Sequence, residues 1–226
     1  MSITQNIQQI RATIDAAATR SGRKSGEVQL IAVSKTKPMP LIREAFAAGQ
    51  LDFGENRVQE LREKYEALPE VRWHMIGTLQ RNKVKYIAPF VYLIHSVDSA
   101  RLLEEINRQA EKNHRRIPCL LQINISEEDS KSGMEESECL EILTHIDDYP
   151  HVLIRGLMGM AELTENETVI RRQFRRLKAA ATRFSSIGHP RVSMEQLSMG
   201  MSGDYEIAVE EGATMVRVGS LVFGER

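Results

Sequence analysis

Val28-Gln29-Leu30-Ile31-Ala32-Val33-Ser34-Lys35-Thr36-Lys37-Pro38 carries the signal that decides the fold. An apolar, partly β-branched run with one Gln at its entrance suits a strand buried on both faces. Pro38 lacks the N–H that a sheet ladder needs, so pairing stops before it. The strand leads into Ser-Lys-Thr-Lys-Pro and not into a glycine-rich phosphate turn, which argues against an open doubly wound sheet. Lys35 stands at the mouth of this strand, where partial loss of hydration favours the free amine. A free amine attacks an aldehyde to form a Schiff base. A lysine that only snorkels to solvent would occupy the same place.

Outward from this strand the pattern repeats. Ahead of it, Ile3, Ile7, Ile10 and Ile14 recur at helical spacing, and residues 1–20 hold no apolar signal-peptide core. Behind it the spacing predicts a helix over 41–48 ended by Gly49, a strand over 51–54 and a helix over 56–68. A strand over 71–77, a basic helix over 81–87, a strand over 91–97 and a helix over 100–113 follow. Next come a strand over 117–126, a helix over 136–146, a strand over 152–160 and a helix over 165–184. A strand over 196–199, a helix over 204–211 and a strand over 214–223 complete the chain. Eight strands, each but the last followed by a helix, predict one α/β domain over residues 1–226. The architecture expected is a (β/α)8 barrel whose extra N-terminal helix closes the ring.

Composition narrows the function. Of 226 residues, 42% are hydrophobic and 27% charged, as in an ordinary soluble globular protein, and the formal net charge is −1. No overall field therefore draws the chain to nucleic acid or to an anionic membrane. Its apolar runs are strand-sized, too short to span a bilayer. Cys119 and Cys139 make no disulfide framework and have no companions for a zinc site, so no metal is expected. A cytoplasmic monomer is the simplest expectation.

Polar residues and glycines gather where the strands end, the face that carries the active site in such barrels. They include Ser34-Lys35, Gly54-Glu55-Asn56, His74 to Gly77, Gln80, Asn82-Lys83, His95-Ser96, Asn124, Ser126 and Met158-Gly159-Met160. Ser198-Met199-Gly200-Met201-Ser202-Gly203-Asp204 opens a helix, and Arg217-Val218-Gly219-Ser220 ends the eighth strand. Phosphate sites of these barrels are built from the loops after strands seven and eight. An N-cap by Ser202 or Asp204 would use the same donors. A Schiff-base lysine and a phosphate cradle together suggest pyridoxal 5′-phosphate (PLP), with the aldehyde at Lys35 and the phosphate on the opposite wall. Arg217 could hold the phosphate or face the pyridine nitrogen.

Other residues are weighed against plainer roles. Asn56 could bond the cofactor's phenolic oxygen or cap a helix. His74 reads as a histidine satisfied within the barrel wall, and Trp73 as core under the outer helices. Met158, Met160, Met199 and Met201 could form a soft wall or mere filler. Arg171, Arg172, Arg175 and Arg176 read as a solvated helix face, and Lys131 as a solvated lysine or a second aldehyde contact.

The segment Trp73-His74-Met75-Ile76-Gly77-Thr78-Leu79-Gln80-Arg81-Asn82-Lys83 resembles the diagnostic segment of the pyridoxal phosphate homeostasis proteins. These are small PLP-binding barrels related to the N-terminal domain of alanine racemase. Ala32 to Pro38, Phe53 to Asn56, Asp129 to Gly133, Gly156 to Met158, Leu197 to Ser202 and Val216 to Ser220 also match in family order. The resemblance implies a fold-type III PLP-binding barrel with Lys35 as the Schiff-base lysine. It implies a carrier that holds PLP reversibly and supplies it to apo-enzymes through transient contact, with no catalytic residues of its own. The alternative is a PLP-dependent amino-acid racemase or another fold-type III enzyme. A two-base racemase needs a second acid or base on the far face of the cofactor, which is not expected here. A cofactor-free aldolase would need a carboxylate or second lysine beside Lys35.

Overall fold

In the computed structural model, which describes residues 2–126 and 133–224, each expected strand forms. They are β1 (Gln29–Val33), β2 (Asp52–Glu55), β3 (Arg72–Met75), β4 (Leu93–Val97), β5 (Ile117–Gln122), β6 (Val152–Met158), β7 (Val192–Ser198) and β8 (Met215–Val218). Neighbours pair in parallel in chain order, and β8 returns to β1 to close the barrel, with Ile31 beside Arg217. Strand alternation explains the burial. Leu30 and Ala32 face the helix layer, while Ile31 points inward and joins Leu93, Leu120, Met158 and Met215 in a small interior cluster.

The helices are α1 (Ile3–Arg20), α2 (Met39–Ala47), α3 (Val58–Ala67), α4 (Ala100–Lys112), α5 (Glu136–Thr144), α6 (Glu167–Phe184), α7 (Tyr205–Glu210) and α8 (Ser220–Phe223). Ile3, Ile7, Ile10 and Ile14 are all buried on one face of α1, as their spacing predicts. Because α8 is a single turn, α1 supplies the missing cover, packing against α2, α7 and α8. The Asn6 side-chain amide donates to the Val222 carbonyl at 3.0 Å and ties the two ends together.

Several strands are shorter than expected, β5 ending at Gln122 and not at 126, and three differences have a clear physical reason. Residues 81–86 form a 3-10 helix and not an α-helix: Val84 is its one buried residue, so it lacks the apolar stripe that sustains longer helices. Strand β7 begins at Val192, because its first half lies partly exposed and carries polar residues that read as loop. Strand β8 stops at Val218, and the apolar residues after it turn into α8. The last strand is therefore also followed by a helix. The arginines of α6 lie on a solvated face, as expected, and make surface ion pairs there: Arg171 and Arg175 pair with Glu211 at the end of α7, and Arg176 with Glu136 of α5.

Candidate functional site

Lys35 follows β1 by two residues, and its side chain is partly exposed, so the desolvation expected of it is incomplete. The turn that carries it is held from behind. Ser34 Oγ donates to the buried Glu55 carboxylate at 2.6 Å. The Lys64 ammonium on α3 donates to the Ser34 carbonyl at 2.6 Å and to Glu55 and Glu60, both at 2.7 Å. Glu60 accepts from the Thr36 N–H at 2.5 Å, which locks Thr36 at φ 63°. Burial raises the Glu55 carboxyl above the usual carboxylate range, outweighing Lys64 and Ser34, and its Oε2 has no hydrogen-bond partner among the described residues. Glu60 and Lys64 were missed as site residues because an i,i+4 pair on a helix reads as solvent-facing.

The loops after β7 and β8 meet beside this turn. Arg217 N–H donates to the Gly200 carbonyl at 2.9 Å, and Gly219 N–H to Ser202 Oγ at 3.3 Å. Gly219 approaches β1 so closely that a Cβ would lie 3.1 Å from the Val33 carbonyl oxygen. Ser220 opens α8, so its own N–H and that of Leu221 have no acceptor within that helix. Gly200, Ser202, Gly219 and Ser220 are thus brought together. Because β8 is the hydrogen-bonded neighbour of β1, this cradle flanks Lys35; the expectation of an opposite wall was wrong. The Met199 side chain is fully buried in the outer core and its N–H is used by the Met215 carbonyl, so only its neighbour Gly200 offers backbone to the cradle. The four methionines do not form one wall: Met158 is interior, Met199 is outer core and Met201 is exposed.

Arg217 points away from that cradle, across the barrel interior. Its guanidinium donates to Ser198 Oγ at 2.6 Å and to the Gly159 carbonyl at 3.2 Å. Burial pulls it down to about 10, so it stays protonated at neutral pH. From Ser198 the chain runs to His95 Nδ1 at 2.8 Å, from His95 Nε2 to His74 Nδ1 at 2.9 Å, and from His74 Nε2 to Asp52 at 3.0 Å. Arg72 caps the far end on Asp52 at 2.5 Å.

Both histidines are fully buried. Burial holds His95 well below its usual value, helped by the charge of Arg217. Burial likewise lowers His74, against the pull of Asp52. With both neutral, one set of tautomers satisfies every group. Arg217 donates to Ser198, Ser198 to His95, His95 to His74, and His74 to the Asp52 carboxylate. Burial works to raise Asp52, yet the carboxyl is held below its usual range. The hydrogen bonds that His74 and Gln29 donate to it do this, with the charge of Arg72 adding to them. His74 is therefore satisfied within the barrel, as expected, but as a link in a chain that crosses it.

Asn56 ends up partly exposed after β2, lining a separate cavity between the loops that follow β2 and β3. Lys131 lies outside the described residues.

A model of the alanine racemase N-terminal domain matches residues 5–226. The chain is 40% identical over 228 residues to the pyridoxal phosphate homeostasis protein of Aquifex aeolicus, covering 100% of this chain and 99% of that protein. The protein of the same name from Escherichia coli K12 is 41% identical over 229 residues, covering 99% of this chain and 97% of its own length. PipY of Synechococcus elongatus PCC7942, solved with PLP bound, superposes with a TM-score of 0.85 at 35% identity, over 99% of this chain and 100% of PipY.

Proposed function

Because the chain belongs to the alanine racemase N-terminal domain family, and within it to the pyridoxal phosphate homeostasis proteins, we propose that it holds PLP at Lys35 and serves PLP homeostasis. When bound, the cofactor supplies an aldehyde for Lys35 and a phosphate that anchors it. The observation that carries this reading is the strand order β8–β1–β2 at the mouth of the barrel. On the PLP ring the phosphate arm, the aldehyde and the phenolic oxygen occupy three consecutive carbons. The cradle of Gly200, Ser202, Gly219 and Ser220, then Lys35, then Asn56 stand in the same sequence around the rim.

The ring nitrogen lies across from the aldehyde, and Arg217 is the cation that reaches across the interior. We therefore assign Arg217 to the nitrogen side and not to the phosphate. Gly200 shapes the cradle: its φ of 91° and the 2.5 Å that would separate an added Cβ from Ala208 let this turn pack tightly against α7. The turn held by Glu55, Glu60 and Lys64 orients Lys35.

The protein acts as a carrier that gives PLP up to apo-enzymes in the cytoplasm through transient contacts, as a monomer. A permanently charged Arg217 at the ring nitrogen keeps that nitrogen unprotonated and weakens the ring as an electron sink. Racemisation or transamination of common amino acids should stay near the background of free PLP. Turnover on the order of 1 per second or faster would overturn the carrier reading.

The direct test is to load the protein with PLP, reduce it with borohydride and map the modified residue by mass spectrometry. The adduct is expected on Lys35 and absent from Lys35→Ala. A full-strength visible band in Lys35→Ala would refute the Lys35 assignment, and pyridoxal, which lacks the phosphate, binding as tightly as PLP would refute the phosphate cradle.

A further inference from the structure

The loop Gly77-Thr78-Leu79-Gln80-Arg81-Asn82-Lys83 has no part in the site just described, yet it builds one wall of a second cavity. This cavity of about 470 Å³ lies between the loops after β2 and β3 and is lined by Asn56, Arg57, Arg62, Thr78, Gln80 and Lys83, among others. Its volume falls within the range of small-molecule sites. Gly77 is what lets the two loops meet, since a Cβ there would lie 2.6 Å from the Asn56 carbonyl oxygen.

Arg57, Arg62 and Lys83 line the cavity, and among the described residues no carboxylate lines it. Other parts of the surface pair their cations with carboxylates. Several arginines elsewhere face acids, as Arg20 faces Glu210, Arg175 faces Glu211 and Arg191 faces Asp147. Here Arg62 reaches Glu66 one turn along its own helix at 3.1 Å. Arg57 and Lys83 have no carboxylate partner among the described residues; Lys83 instead stands 5.7 Å over the ring of Tyr86. Val58 opens α3 on the same cavity, and no side chain caps that helix, so its first N–H groups add donors. Gathered like charges repel, and an anion between them relieves the repulsion.

We propose that this cavity binds the phosphate group of a small phosphomonoester, at a site distinct from Lys35 and adjoining it through Asn56. Two guanidinium forks, an ammonium and backbone donors match a dianion with three acceptor oxygens better than a carboxylate with two. The proposal does not depend on the reading of Lys35.

The test is amide NMR on the full-length protein, titrated separately with inorganic phosphate, glycerol 3-phosphate and succinate. Amides of Arg57 to Gln59 and Thr78 to Lys83 are expected to shift and saturate with the two phosphates. The double variant Arg57→Ala, Lys83→Ala should weaken that response about tenfold or more, while borohydride labelling of Lys35 by PLP is unchanged. Shifts confined to Gly200, Ser202 and Gly219 would overturn the second site and leave the PLP reading standing. A response as strong to succinate, or one unchanged in the double variant, would overturn it as well. Saturation at the second cavity with no labelling of Lys35 would support the cavity and refute the PLP reading.

Discussion

Gly200 occupies a backbone conformation that L side chains rarely adopt, with φ at 91° and Ala208 Cβ only 2.5 Å from where its own Cβ would be. Gly200→Ala therefore adds strain and a clash at one point. The expected cost is about 1–3 kcal/mol of stability, read as a lower urea midpoint with an unchanged slope. Retention of PLP should fall with it, because the same backbone carbonyl accepts from Arg217 and fixes the cradle. A variant as stable and as well loaded as the parent would show that Gly200 is not needed for this geometry. Lys35 differs in kind: it is partly exposed and its ammonium makes no hydrogen bond or ion pair among the described residues, so loss of the adduct in Lys35→Ala, with an unchanged urea midpoint, reports chemistry and not folding.

Among the elements, the interior chain from Arg217 through Ser198, His95 and His74 to Asp52 joins β8, β7, β4, β3 and β2. Its neutrality makes stability depend on pH. His95 is held below its usual value of about 6.5 in the fold, so the unfolded chain takes up a proton that the native state refuses. Stability present above pH of about 6.5 is then lost progressively as the pH falls toward the folded value. His95→Gln keeps a donor for His74 and an acceptor for Ser198 but cannot take up that proton. It should be less stable than the parent at pH 7, yet lose less between pH 7 and pH 5 in equilibrium denaturation. Equal losses in the two proteins would mean that His95 does not govern the slope.

For the molecule as a whole, the closed ring of strands under one continuous layer of helices leaves little that opens locally. Both cysteines report on this. Cys119 on β5 and Cys139 on α5 are buried; burial raises both thiols, Cys139 to about 12 with Glu138 and Glu136 adding to the effect. At pH 8 neither thiol should react with a disulfide reagent until the barrel unfolds, and both should then react together. Labelling of either cysteine at rates typical of an exposed thiol would show local opening at β5 or α5. Among the described residues no helix is long and apolar enough to cross a membrane.

The alternation of eight strands with helices was legible along the chain because strands covered on both faces must be apolar in short runs. Ile3, Ile7, Ile10 and Ile14 announced α1 by spacing alone, and Lys35, Gly200, Ser202, Gly219 and Ser220 stood out as polar or glycine positions at strand ends. What they do together was not legible. Only the pairing of β8 with β1 puts the cradle beside Lys35 and turns the Arg217 side chain into the interior. Only the barrel's register brings His95 within 2.8 Å of Ser198, 103 residues away. Lys64 likewise reads as a solvated helix residue until α3 packs over the end of β1 and buries it against Glu55. Periodicity tells which face of a strand or helix a side chain occupies; which partners it meets there depends on closure and register, and those belong to the folded chain.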